Sequence, residues 1–110
     1  MLIETLTRFL IERVLGWPWT TGEGPLGGWW WRTDWGERIF HPPDFTTWEG
    51  FGMLLTALAA AGKEPVVGHL LRPIEGWHVV VRPSGEGLHS DPRVALVLAT
   101  AKAYGFEEEA

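Results

Sequence analysis

Apolar residues first recur along the chain at helical spacing. Ile3, Leu6, Leu10 and Val14 follow an i, i+3, i+7 rhythm, with Leu2 and Phe9 widening the stripe and Glu4, Arg8 and Glu12 on the opposite side. This predicts an amphipathic helix over 2–15, closed by Gly16 and kept from resuming by Pro18. A second helical stretch, 44–62, opens on Thr46-x-x-Glu49, the spacing of a capping box, and aligns Trp48, Phe51, Leu54, Leu55 and Leu58 on one face. Gly50 and Gly52 weaken its start by roughly 1 kcal/mol each against Ala, and both leave room for a neighbouring backbone. The third helix, 91–104, opens on Asp91 as cap with Pro92 at its first position. Val94 to Tyr104 is apolar on nearly every side, which predicts the most buried helix.

Alternation with period two marks a β-hairpin, 66–72/76–82, around Pro73-Ile74-Glu75-Gly76. Pairing Arg72 with Trp77 puts Val66, Leu70, Trp77, Val79 and Val81 on a core face. Val67, His69, Leu71, His78, Val80 and Arg82 then occupy the other, and a one-residue slip exchanges the assignments. No helical period survives between Trp17 and His41. Trp29-Trp30-Trp31-Arg32 and Arg38-Ile39-Phe40 read as short strands about a turn at 33–37, and Ser84-Gly85-Glu86-Gly87 reads as a turn. The pattern predicts one α+β domain over 1–110. A small antiparallel sheet, the hairpin with a further strand from 28–40, packs with the three helices in an α/β/α sandwich. Residues 106–110 form a frayed acidic tail.

Composition narrows the function classes. The net charge is −5, but three of the fourteen acidic side chains are Glu107, Glu108 and Glu109, so the body is close to balance. The nine basic residues are scattered, which argues against a duplex nucleic-acid partner. No apolar run approaches the ~18 residues of a membrane helix. Glu4, Arg8, Glu12 and Arg13 break any signal-peptide stretch, so a cytoplasmic location is expected. Cys, Asn and Gln are all absent. The first absence excludes a disulfide framework, a thiolate metal site and a Cys nucleophile. The three together are the mark of selection against heat-labile side chains, or of a GC-rich genome, and a thermophilic source fits both.

Several segments resemble the small phage α/β/α sandwich domain family. They are Ile11-Glu-Arg-Val-Leu-Gly-Trp17, Phe40-His-Pro-Pro-Asp-Phe45, Gly76-Trp77-His-Val79 and Asp91-Pro92-Arg-Val-Ala-Leu96, with Ala99 and Ala101 in the last helix. The loop 20–38 departs from that pattern in length and in its tryptophans. The resemblance implies an α/β/α layering and a phage or prophage accessory protein; it implies no activity, and no functional residues carry over.

Chemistry-bearing motifs are few. Gly22-Glu-Gly24-Pro-Leu-Gly27 matches the dinucleotide fingerprint, but a helix precedes it and Pro25 interrupts it, so a turn is expected. His69 and His78 are weak metal candidates, placed diagonally on one hairpin face by the register above. They lack further ligands at metal spacing unless His41, His89, Glu75 or Glu86 contribute. Ser84, His89 and Asp91 are too crowded for a triad. No cofactor is implied, and enzymatic activity is not expected. The residues singled out for binding are Trp29, Trp30, Trp31, Arg32, Trp35 and Arg38, where aromatic faces and guanidinium groups alternate. They suit a roof over the core, a self-association surface or a ligand or partner site. The leading expectation is a non-catalytic binding or interaction protein acting on a host protein or small ligand. A homo-oligomeric structural protein, as a homodimer, is the alternative, and a small metal-dependent enzyme comes third.

Overall fold

The computed structural model describes residues 2–70, 76–82 and 84–106. Helix α1 (Leu2–Leu10) runs into a π-helical turn, Ile11–Leu15, which ends on Gly16. Leu10 and Ile11 are fully buried, with Leu6, Phe9, Val14 and Leu15 packed around them. The side chains of Leu2 and Ile3 lie outside those described. Strands β1 (Trp19–Thr21), β2 (Gly28–Arg32) and β3 (Glu37–Ile39) form one antiparallel sheet. Helix α2 (Trp48–Ala60) follows, then β4 (Val66–Leu70), β5 (Gly76–Val81) and β6 (Gly85–His89), which form a second sheet in that order. Helix α3 (Pro92–Ala103) closes the fold. Three helices with small antiparallel sheets make an α+β protein, as the pattern predicts. The two hairpins do not share a sheet: each acquires its own third strand.

Helix α3 is the central element, lying between the second sheet and the other two helices. Ala95, Leu96, Val97, Ala99, Thr100 and Ala101 are buried, and the Thr100 hydroxyl donates to the Leu96 carbonyl at 2.7 Å. Asp91 caps it, accepting from the Arg93 N–H at 2.9 Å. Strand β6 was expected as a turn. Its glycines serve instead as a seat for α3. A Cβ on Gly85 would lie 2.6 Å from the Ala103 methyl, and one on Gly87 would lie 2.9 Å from the Ala99 nitrogen. The stripe Ala95, Ala99, Ala103 therefore meets bare backbone, and the helix and strand approach more closely than side chains allow.

The hairpin register differs from the expected one. Trp77 pairs with His69, not with Arg72, which lies outside the described residues along with the whole turn 71–75. Val67 and His69 thus share the core-facing side with Trp77, Val79 and Val81, while Val66 moves to the other face with His78 and Val80. An odd shift flips every side chain of β4 relative to β5. Val66 and Val67 are both apolar, so alternation could not choose between them.

The start of α2 is also corrected. The cap is Thr47, which accepts from the Gly50 N–H at 3.1 Å; Thr46 turns away to bond Asp44. Gly50 lets the Asp44–Phe45 backbone lie directly on the helix, because a Cβ there would sit 2.5 Å from the Phe45 Cα. Gly52 has open space where its Cβ would be. Trp48, expected on the core face, is 61% exposed. Of the tail, Phe106 packs edge-on against Phe9 at 5.0 Å; residues 107–110 lie outside those described.

Candidate binding site

Strand alternation divides the predicted binding residues. In the first sheet Trp19 pairs with Trp30 and Trp30 with Ile39, which places these three on the inward face. Trp29 and Trp31 point outward, with Arg38 opposite Trp31. Trp30 is buried at 4% exposure, Trp29 is half-buried and Trp31 is 38% exposed. Trp35, at the hairpin tip, is 71% exposed. The six residues therefore occupy three places rather than one patch.

On the outward face the Trp29 and Trp31 rings meet edge-on at 6.3 Å, and the Arg38 guanidinium lies 4.9 Å from the Trp29 ring centre. At the tip, Arg32 lies 3.9 Å from the Trp35 ring and 5.2 Å from the buried Trp17 ring. Asp34 (3.1 Å) and Glu37 (3.8 Å) neutralise its charge. Trp17, Arg32, Asp34 and Trp35 border a groove of about 530 Å³ against the Gly52–Ala60 side of α2. Two further stacks join residues that the motif reading left aside: Arg8 on Trp19 at 4.8 Å, and Arg93 on Trp48 at 4.5 Å. Such pairs ordinarily occur about once per 70–80 residues. Here most guanidinium groups are already engaged by rings or carboxylates, so they are poor phosphate ligands.

The inward face of the first sheet opens onto a cleft of about 580 Å³. Its floor is Trp19 and Trp30, edge-to-face at 4.6 Å. Leu26 from the β1–β2 loop and Pro42-Pro43 supply apolar walls, and Arg8, Thr7, Asp44 and Thr46 supply polar ones. Leu26 is 50% exposed. Three separate causes bring these residues together: the helical face of α1 positions Arg8, the β1–β2 pairing positions the rings, and Gly50 holds the Asp44 segment against α2.

Two features of the cleft bear on chemistry. Trp30 Nε1 is the one buried side-chain nitrogen or oxygen among the described residues with no hydrogen-bond partner. Asp44 has its carboxyl held below the usual carboxylate value, first by the Thr46 hydroxyl and then by the Thr46 N–H at 2.9 Å. Arg8, in contrast, is tied to Glu12 at 2.7 Å. The cleft lining thus carries one cation, Arg8, and one carboxylate, Asp44, on which the charge of Arg93 also acts.

The remaining candidates do not assemble. His69 and His78 sit on opposite faces of the second sheet, correcting the diagonal placement. His69 meets the Trp77 ring at 4.9 Å, and His78 Nε2 lies 3.1 Å from Glu86. Glu75 lies outside the described residues. No group of three or more metal-ligating side chains occurs among those described. His89 Nδ1 accepts from the Asp91 backbone N–H at 3.0 Å, while the Asp91 carboxylate is engaged by the Arg93 guanidinium at 2.8 Å; the pair forms no relay. The Gly22–Gly27 run is a hairpin loop closed by the Gly22 N–H donating to the Gly27 carbonyl at 3.0 Å. No helix among the described residues is long and apolar enough to cross a membrane.

The cleft was reachable from sequence only in part. Trp30 was singled out, but Trp19, Arg8, Leu26 and Asp44 were not. Trp17-Pro18-Trp19 was the one available signal, a second aromatic pair beside a strand. Compared with protein-family models, curated proteins and solved structures, the chain matches none.

Proposed function

We propose that the chain is a non-catalytic binding protein, of the phage-accessory kind its family resemblance implies, that seats a partner segment or small ligand in the cleft beneath the first sheet. The observation that carries this reading is the cleft itself, about 580 Å³, with Trp19, Leu26 and Pro42-Pro43 as apolar walls and Arg8, Thr7, Asp44 and Thr46 as polar ones. The volume and the mixture of aromatic walls with a few polar groups fit the usual ligand-site class. Arginines spent on rings argue against a nucleic-acid partner. Asp91 and His89, bonded to other groups, argue against hydrolytic chemistry in that turn.

The test is a thermal-shift screen of small molecules, saccharides and peptides against the native chain and Leu26→Lys. Leu26 is exposed enough for that change to spare the core. A ligand at about 100 times its Kd stabilises the native chain by roughly 2.7 kcal/mol. Compounds that raise the melting temperature of the native chain but not of Leu26→Lys support the cleft; a screen without any such compound contradicts it.

A second reading has its own observation: Trp29 and Trp31 face outward from the first sheet, Trp31 at 38% exposure. As a homo-oligomer surface this face would bury them between copies. Light scattering showing a dimer that Trp31→Glu converts to monomer favours this reading; a monomer at all concentrations removes it.

A further inference from the structure

We propose that strand β4 is a docking edge for a second copy of this chain. The two β4 strands pair antiparallel about a two-fold axis and join their sheets into one; the proposal is independent of the cleft. Among the described residues, β1, β3, β4 and β6 lie at sheet edges. An edge strand offers unpaired N–H and C=O groups, and folded proteins blunt it by shortness, charge, proline or cover. Strands β1 and β3 are three residues long, and β3 carries Glu37 and Arg38. Strand β6 carries Glu86 and lies against α3, with Gly85 and Gly87 buried. Strand β4 has none of these devices. It runs five residues, Val-Val-Gly-His-Leu, and pairs with β5 without a bulge. Helix α3 lies over β5 and β6, and Val66, Val67, Gly68 and His69 are all exposed. Val66 is 63% exposed and Val67 40%, one on each face of the sheet.

The chemistry of the edge selects the occupant. A ladder of backbone donors and acceptors is matched by another extended strand. Selection of a foreign strand comes from pockets for its side chains, and β4 lines neither the cleft nor the groove. Its own sequence suits a symmetric partner. Antiparallel pairing centred on Gly68 sets position 66 against 70 and 67 against 69. No like charges meet, because the strand contains no Lys, Arg, Asp or Glu. Gly68 then faces its own copy across the axis, where no side chain holds the backbones apart. Five residues span about 17 Å, short of a standard-sized interface, so the dimer is weak and concentration-dependent.

The experiment combines light scattering across concentration with disulfide trapping, in a chain that has no native Cys. Directly opposed residues of an antiparallel pair have Cα atoms about 4.5–5.5 Å apart, within the span of a disulfide. Gly68 has open space where its Cβ would be, so Gly68→Cys fits the strand. Under mild oxidation it should form covalent dimer about tenfold faster than Ala59→Cys, an exposed control on α2, because paired strands hold the two thiols together. Val67→Lys, which charges the edge at an exposed position, should return the native dimer to monomer, whereas Val67→Thr should keep it. Trp31→Glu should leave the dimer intact. A chain that stays monomeric at about 1 mM overturns the proposal and leaves the edge to a strand of another protein. Trapping of Gly68→Cys no faster than of Ala59→Cys overturns it as well. A dimer kept in Val67→Lys and lost in Trp31→Glu also overturns it, and assigns self-association to the outer face of the first sheet.

Discussion

Gly50 and Gly52 occupy the same helix two residues apart, and the same substitution should move stability in opposite directions at the two sites. In a helix interior Ala is favoured over Gly by roughly 0.8–1.0 kcal/mol. Gly52→Ala meets nothing within 4 Å, so it should realise most of that gain. Gly50→Ala places its methyl against the Asp44 carbonyl, 2.5 Å from the Phe45 Cα and 2.9 Å from the Asp44 carbonyl carbon. These are backbone atoms, which cannot rotate away, and Phe45 beneath them is buried at 3% exposure. Overpacking of this kind costs about 1–3 kcal/mol, and the fixed obstacle puts it at the upper end. After the propensity gain, Gly50→Ala should lose about 2 kcal/mol. For a domain of this size each kcal/mol moves the melting temperature by about 4 °C, so the two variants should separate by roughly 12 °C in a calorimetric scan. Gly50→Ala should also weaken cleft ligands, because the Asp44 segment must lift. If both variants stabilise, the 44–45 segment does not rest on α2, and the cleft loses its wall.

Three further outcomes follow from the packing and charges. Leu96→Ala, at a fully buried position, should cost about 2–5 kcal/mol in denaturant unfolding. Leu98→Ala, half-buried, should cost clearly less, and the reverse order would mean α3 is rotated. Asp91 is held below its ordinary value of 3.8, chiefly by the Arg93 side chain and then by the Arg93 backbone N–H. A depressed carboxyl stabilises the fold above its unfolded value and loses that contribution as pH falls through its folded value. Asp91→Asn, still a cap but without the charge that Arg93 engages, should therefore lower neutral stability by about the amount by which it flattens the acid loss below pH ~4 in urea titrations. Finally, with no Cys, Asn or Gln, the native chain should melt above the ~45–65 °C of mesophile domains; a reversible melt below about 60 °C leaves codon bias as the source of that composition.

Local patterns were legible where one stripe or cap had no competitor. Asp91-Pro92 marked the start of α3, and its all-round apolar sequence marked it as central. Register was not legible, because Val66 and Val67 are both apolar and either can face the core. Strand β6 read as a turn because Gly85 and Gly87 have no side chains to alternate. Their role, letting α3 approach, appears only once the helix is in place. Thr46 competes with Thr47 for the cap, and Asp44, by engaging Thr46, decides it. The tryptophans split by strand alternation as sequence implies, but which face turns inward depends on Ile39 and Trp19 across the sheet. The cleft draws on α1, β1, β2 and the 42–46 segment. No spacing rule joins residues that far apart in the chain, and the same holds for the stacks of Arg8 on Trp19 and Arg93 on Trp48.

The central claim is a binding cleft walled by Trp19, Leu26 and Pro42-Pro43. Two-dimensional ¹H–¹⁵N spectra report each indole N–H separately, and each resonance can be assigned by replacing one Trp at a time with Phe. On addition of a ligand whose stabilisation Leu26→Lys abolishes, the Trp19 indole resonance should shift, because that half-buried ring lines the cleft. Trp48 and Trp35, exposed elsewhere, should stay in place. A Trp19 resonance that stays fixed while the ligand saturates, or a shift confined to Trp31 and Trp35, would contradict the cleft and transfer the site to the outer surface of the first sheet.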